Sequence, residues 1–180
     1  MPQLSGPIWV QRFPTSADVS DLSASFATSV GNFIASLRAG GAGLSIAATL
    51  RPPERAYLMH YAWRIGRDSL DAEDVPAMAG VDIDWVHRDR RGRADATASQ
   101  SAALGMVGLF GIVYRPALSS RHTEGRAIDM TISNYTSKTF NDADSDATVV
   151  RTAGELHALG ATFGVIKLAS DPPHWSDDGH

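Results

Sequence analysis

Hydrophobic residues recur at helical spacing early in the chain and at strand spacing directly afterwards. Between residues 15 and 38, apolar side chains fall three or four positions apart. This spacing predicts a helix with one buried face, which begins at Thr15 or Ser16 because those residues can cap it. Residues 44–50 then alternate between apolar and small or polar side chains, which predicts a strand that ends at Arg51.

The middle of the chain predicts two helices separated by a long connection. Two prolines precede a helix over about residues 54–68, since proline has no N–H that the first turn would leave unpaired. Residues 69–97 are polar and rich in charge, and we interpret them mainly as a long connection, in which the basic run 88–93 is a solvated loop. A short apolar helix is expected over about residues 98–109.

The last third of the chain predicts two strands with a helix between them. Residues 127–132 form a clear strand pattern, residues 147–159 have helical spacing, and residues 163–168 are apolar and strand-like. The elements interleave as in an α+β protein. We therefore predict a single α+β domain over residues 1–180, in which helices flank a small antiparallel sheet that carries the functional site.

Composition narrows the classes of function. The chain of 180 residues is 43% hydrophobic and 20% charged, which is typical of a globular protein. It contains no apolar run near the roughly 20 residues that span a bilayer. A net charge of -4 opposes nucleic-acid binding, which needs a basic face. The first 14 residues do not resemble a signal peptide. We expect neither nucleic-acid binding nor membrane insertion.

A histidine and an aspartate seven residues apart are the first candidates for metal ligands. Because the sequence has no cysteine, a metal could be held only by His, Asp or Glu. On a helix, His122 and Asp129 would lie about 10.5 Å apart along the axis. Gly125 can adopt a turn conformation that would fold His122 back beside a strand carrying Asp129. The side chains of residues 127, 129 and 131 would then share one face of that strand.

His174 is the natural third ligand, because it follows a predicted strand and two prolines that stiffen its loop. A catalytic zinc has three protein ligands and leaves its fourth position to water. Asp171 lies three residues earlier and could accept a proton from that water and pass it to a leaving amine. We place Ser120 and Trp175 in the substrate cleft. Together these residues predict a hydrolase site.

Three segments resemble those of one enzyme family, the M15-type zinc peptidases. These are D-alanyl-D-alanine carboxypeptidases, dipeptidases and L-alanyl-D-glutamate endolysins, whose signature is S-x-H-x-x-G-x-A-x-D. The matching segments are Ser120-x-His122-x-x-Gly125-x-Ala127-x-Asp129, the closing His174-Trp175, and Thr49-Leu50-Arg51-Pro52, which resembles their arginine motif. The resemblance covers about residues 44–175.

The resemblance implies zinc on His122, Asp129 and His174, with Arg51 stabilising the negative charge that develops on the scissile carbonyl. The expected function is hydrolysis of an amide bond in peptidoglycan stem peptides, by a D,D-carboxypeptidase or an L-alanyl-D-glutamate endopeptidase. One position departs from the family, which usually has glutamate where this chain has Asp171. Asp177 or Asp178 is therefore an alternative base.

The expected place of action is the cell wall, reached through another delivery system. A phage lysin and a secreted antibacterial effector both fit this expectation, and delivery machinery or a cognate immunity protein would then be a partner. A non-catalytic zinc module similar to Hedgehog signalling domains is the alternative function. Metal ligation is not expected of the remaining histidines, which are His60, His87, His157 and His180.

Overall fold

The structure is a computed structural model that describes residues 2–180. Its α-helices are α1 (Ala24–Ala39), α2 (Pro53–Arg67), α3 (Ala96–Phe110) and α4 (Ala153–Thr162). Its strands are β1 (Gln3–Leu4), β2 (Gly43–Ala48), β3 (Ile83–Asp84), β4 (Ala127–Ser133), β5 (Lys138–Asn141), β6 (Ala147–Val150), β7 (Ile166–Lys167) and β8 (His174–Ser176). Helices flanking a small antiparallel sheet confirm the predicted α+β class.

The chain separates into two compact units. One comprises the first 14 residues with Pro52–Ser119, and the other comprises Thr15–Arg51 with Ser120–His180. In the first unit, α2 and α3 enclose a core that includes Trp9, Leu58 and Met106. β1 pairs in parallel with β3 in the same unit. The domain bounds of residues 1–180 stay a prediction.

The second unit contains an antiparallel sheet with the strand order β2-β4-β8-β7. One face of this sheet, including Ile128, Met130 and Trp175, packs into a core with α1 and α4. Side chains alternate along a strand, so Asp129 and His174 point to the opposite face. These two residues lie directly opposite each other in the pairing of β4 with β8.

The first helix was predicted to begin too early. It begins at Ala24, whereas the sequence predicted Thr15 or Ser16. The upstream residues instead bond to the segment after β2: the Ser16 N–H donates to the Leu50 carbonyl at 2.8 Å, and the Thr49 N–H donates to the Ser16 carbonyl at 2.7 Å. Those bonds hold the chain extended at Ser16, and a 3-10 turn at Val19–Asp21 follows before the helix begins.

The helix predicted over residues 147–159 was also wrong at its start. Residues Ala147–Val150 form β6, which pairs with β5, and α4 begins at Ala153. The Thr152 hydroxyl accepts from the Glu155 N–H and the Glu155 carboxylate accepts from the Thr152 N–H, which closes the first turn there. The strand predicted over residues 163–168 is shorter, because only Ile166–Lys167 form β7. The strands near residues 44–50 and 127–132 and the helices near 54–68 and 98–109 are confirmed within two residues.

Candidate metal centre

Three side chains of the second unit converge on one point. The Nε2 atom of His122 lies 3.0 Å from Oδ1 of Asp129 and 3.2 Å from Nδ1 of His174. The third edge, from His174 Nδ1 to Asp129 Oδ1, is also 3.2 Å. Bonds of 2.0–2.2 Å to one ion separate neighbouring ligand atoms by about 2.8–3.1 Å in octahedral geometry and about 3.3–3.6 Å in tetrahedral geometry. The three residues are therefore close enough to bind a metal ion.

The local fold explains why these three residues meet. The pairing of β4 with β8 brings Asp129 to His174, and the turn before β4 brings His122 to both. Gly125 adopts a positive φ of 67°, as the predicted turn requires. A Cβ on Gly125 would lie 3.0 Å from the main-chain nitrogen of Ser23, so the position is also crowded.

Hydrogen bonds at the far side of each imidazole set its tautomer. Nδ1 of His122 lies 2.7 Å from the Thr49 carbonyl, and Nε2 of His174 lies 3.1 Å from the His180 carbonyl. A carbonyl only accepts hydrogen bonds, so each of these nitrogens carries the hydrogen. The facing nitrogens of the neutral rings then present lone pairs to each other and to the Asp129 carboxylate. Only a proton or a cation can satisfy three acceptors at this spacing.

The electrostatics of the metal-free triad favour positive charge. Burial opposes ionisation of the Asp129 carboxyl, but hydrogen bonds from His122 and His174 outweigh it and hold its pKa well below the usual range. The pKa of His174 is raised, chiefly by its hydrogen bond to Asp129, with the charge of Asp171 a smaller contribution in the same direction. Both imidazoles are buried, at 5% exposure for His122 and 8% for His174. A cation at this point would therefore replace protons between two buried imidazoles and the partly exposed Asp129 carboxylate.

Arg51 and Ser120 lie beside His122 in the fold. The Arg51 N–H donates to the His122 carbonyl at 3.0 Å, and Ser120 begins the turn that carries His122. Nε of Arg51 and Oγ of Ser120 are buried and have no hydrogen-bond partner. Buried polar atoms are rarely left unpaired in folded proteins. These two atoms lack a partner within the protein, and their predicted roles toward a substrate stay predictions.

Asp171 differs from the two alternative bases in its contacts. Among the described residues, its exposed carboxylate has no hydrogen bond or ion pair, whereas its main chain forms part of the turn leading to His174. Asp177 forms an ion pair with Arg126, and Asp178 forms one with Arg121. Proton transfer by Asp177 or Asp178 would compete with these arginines. Asp171 is the freer carboxylate.

Trp175 lies away from the triad. Its side chain is 2% exposed and packs in the core against Phe33, with ring centroids 5.6 Å apart. Adjacent residues on a strand point to opposite faces. Since the His174 side chain faces the triad, the Trp175 side chain faces the core. The structure does not bring Trp175 to the site where it was predicted to contact substrate. Its indole anchors β8, and with it His174, on the core.

The remaining histidines have other neighbours. Nδ1 of His60 lies 2.7 Å from the Pro116 carbonyl, and Nε2 of His87 lies 3.1 Å from the Ser5 hydroxyl. The His157 ring contacts Trp175 edge to face. His180 contributes its main-chain carbonyl to His174, a contact that carries no signal in the sequence.

Comparisons with known proteins give no family assignment. No protein-family model matches the chain, and no curated protein matches it either. Among residues 2–180, no helix is both long and apolar enough to cross a membrane.

Proposed function

We propose that this chain is a zinc-dependent peptidase that hydrolyses an amide bond in peptidoglycan stem peptides. The single observation that carries the proposal is the convergence of three acceptor atoms, from His122, Asp129 and His174, within 3.2 Å of one another. These are the three residues at which the sequence resembles the zinc ligands of stem-peptide hydrolases. The proposal thus joins a geometry and a sequence pattern at the same residues.

The choice of zinc rests on the sequence pattern more than on distances. Two histidines and one carboxylate are typical of catalytic zinc sites, but they also form the facial triad of non-haem iron enzymes. The edges of 3.0–3.2 Å lie between the octahedral and tetrahedral separations and do not distinguish the two ions. We propose zinc because the spacing from Ser120 to Asp129 resembles that of zinc peptidases, and metal analysis separates the two.

Bound zinc would supply Lewis acidity, which makes water a nucleophile near neutral pH and polarises a carbonyl. The chain itself would supply the remaining functions. Asp171, exposed and unpaired, would take the proton from the attacking water and deliver it to the leaving amine. Arg51 would stabilise the negative charge that develops on the carbonyl oxygen, and its buried Nε has no competing partner in the protein. Ser120 would offer its unpartnered hydroxyl to the substrate.

Digestion of purified muropeptides, followed by mass analysis, tests the proposal. The wild type should release terminal D-alanine or cleave between L-alanine and glutamate, and the product masses identify the bond. His122→Ala should lose both metal and cleavage. Asp171→Asn should keep the metal and lose about 10²–10⁴-fold in turnover, the usual contribution of a general base.

Asp177→Asn is the matched control, because it removes a carboxylate three residues after His174 that is already paired with Arg126. It should retain most of the activity. Metal binding without cleavage of any stem peptide would contradict the peptidase and leave a non-catalytic metal module similar to Hedgehog domains. Cleavage that survives His122→Ala would contradict the site itself.

Stem peptides lie in the cell wall, so the proposed substrate also places the proposed activity there. We propose delivery by a separate system, as for a phage lysin or a secreted effector. Cleavage of intact sacculi by added protein, compared with cleavage of small fragments, tests whether the wall itself is the substrate.

A further inference from the structure

Lys167 lies at the end of β7 and donates all three of its ammonium hydrogens to one short loop. Its Nζ lies 2.5 Å from the Leu168 carbonyl, 2.5 Å from the Asp171 carbonyl and 2.9 Å from the His174 carbonyl. An ammonium group has three donors and no acceptor. The three carbonyls therefore satisfy Lys167 completely, and each belongs to the segment that ends at His174.

The loop is also closed by its own backbone. The Asp171 N–H donates to the Leu168 carbonyl, the His174 N–H to the Asp171 carbonyl, and the Leu168 N–H to the His174 carbonyl, at 3.0–3.2 Å. Each of the three carbonyls thus accepts one backbone hydrogen bond and one from Lys167. Three carbonyl dipoles that converge on one point repel one another unless a cation lies between them. Pro172 and Pro173 have no N–H, so neither can donate a hydrogen bond to these carbonyls.

We propose that Lys167 is a positioning residue for the metal centre, because its ammonium holds the loop of residues 168–174 in the conformation that turns His174 toward His122 and Asp129. The same contact fixes the main chain of Asp171. The inference rests on the proposed function only in that it takes the triad to be a metal centre. It does not depend on which bond, if any, the protein cleaves.

The choice of lysine at this position supports the inference. The sequence has 16 basic residues, and only Lys138 and Lys167 among them are lysines. A compact ammonium can direct three hydrogen bonds to three converging carbonyls, whereas a guanidinium is planar and matches carboxylates better. We therefore expect Lys167→Arg to keep the charge but lose the loop geometry.

A purely structural role for Lys167 is the alternative. Its Nζ lies 5.7 Å from the centre of the Trp175 ring, so its stem also contributes to packing around β8. Lys167→Met preserves most of that apolar stem and removes only the ammonium. Lys138→Met is the matched control, because Lys138 also donates to a main-chain carbonyl, that of Gly41, but contacts no part of the loop before His174.

The experiment measures zinc affinity by competition with a chelator and the visible absorption of the cobalt-substituted protein. Thermal unfolding of each metal-free variant verifies its folding. Lys167→Met should bind one metal per chain about 10- to 100-fold more weakly, as for other residues that orient metal ligands, with an altered cobalt spectrum. Lys138→Met should match the wild type. Ethylammonium added to Lys167→Ala should restore part of the affinity, even if Lys167→Met folds poorly.

Three results would contradict the inference. Wild-type affinity in Lys167→Met would show that the ammonium does not position His174. Wild-type affinity in Lys167→Arg would show that charge alone suffices. A wild-type protein that binds no zinc or cobalt would overturn both this inference and the proposed function. A wild type that binds metal but cleaves no stem peptide would overturn only the proposed function. The metal affinity of Lys167→Met relative to the wild type would still decide the role of Lys167.

Discussion

Replacing Asp129 by asparagine should change how the stability of the metal-free protein depends on pH. Oδ1 of Asp129 lies 3.0 Å from Nε2 of His122 and 3.2 Å from Nδ1 of His174. This contact is the main cause of the raised pKa of His174, and burial of the imidazole acts in the opposite direction. Asparagine keeps the shape of the side chain but removes its charge. The pKa of His174 should therefore fall in the variant.

The direction of each pKa change fixes the pH range. Because the pKa of His174 is raised, its contribution to stability is complete below about pH 6.5, the unfolded value, and is lost as the pH rises through the folded value. Because the pKa of Asp129 is lowered, its contribution is present above about pH 4 and is lost as the pH falls through the folded value. The metal-free triad should thus contribute most between about pH 4 and 6.5.

The size of the effect follows from the hydrogen bonds. A hydrogen bond to a charged partner contributes about 1.5–3 kcal/mol, and a neutral one contributes about 1 kcal/mol. At pH 6, Asp129→Asn should therefore lower the free energy of unfolding by about 1–2 kcal/mol. For a chain of this size the corresponding change in Tm is about 2–8 °C. At pH 9 the difference should shrink, because His174 is then neutral in both proteins.

The assay is thermal and denaturant unfolding of chelator-treated protein from pH 5 to 9, with the His174 imidazole followed by NMR. Asp177→Asn is the control, because it removes a carboxylate that pairs with Arg126 and not with either imidazole of the triad. The reasoning would be refuted if the difference in free energy of unfolding between the wild type and Asp129→Asn stayed constant or grew toward pH 9. So would an unchanged pKa of His174.

Three further predictions concern metal removal and packing. Zinc at 1,000 times its Kd stabilises a folded protein by about 4.1 kcal/mol, so removing it with a chelator should lower the Tm by about 8–16 °C. Calorimetry measures this change, and an unchanged Tm would contradict zinc binding to the folded state alone. Gly160→Ala should destabilise the protein by about 1–2 kcal/mol in denaturant unfolding, because the new Cβ would lie 2.8 Å from both the Trp175 ring and the Val165 carbonyl oxygen. A gain in stability would show that the neighbouring atoms move away without cost. Thr152→Ala should cost about 1 kcal/mol through loss of the helix cap, whereas Thr152→Ser should retain most of the stability.

The three converging side chains could be predicted from the sequence because their spacing fits a strand preceded by a turn. Alternation along residues 127–132 put Asp129 on one face of a strand, and Gly125 offered the turn that returns His122 to it. Both features are present in the structure. His174 was placed by its position after two prolines. The side chain of Trp175 could have been placed by the same alternation, since the residue after His174 on a strand must face the other way.

Other parts of the site have no side-chain signature. The carbonyls of Thr49 and His180 orient the two imidazoles, and any residue type supplies a carbonyl. The ion pairs of Arg121 and Arg126 with the acidic residues after β8 join segments more than 50 residues apart, which periodicity cannot reveal. The start of α4, in contrast, could have been found. Thr152 and Glu155 form a capping box that is visible in the sequence.

Metal content is the most direct test of the central claim. Protein equilibrated with zinc and ferrous iron together, then dialysed, should retain about one zinc per chain and little iron. Asp129→Ala, treated in the same way, should retain neither metal. A wild-type protein free of zinc, or an Asp129→Ala variant with as much zinc as the wild type, would contradict a zinc centre formed by His122, Asp129 and His174.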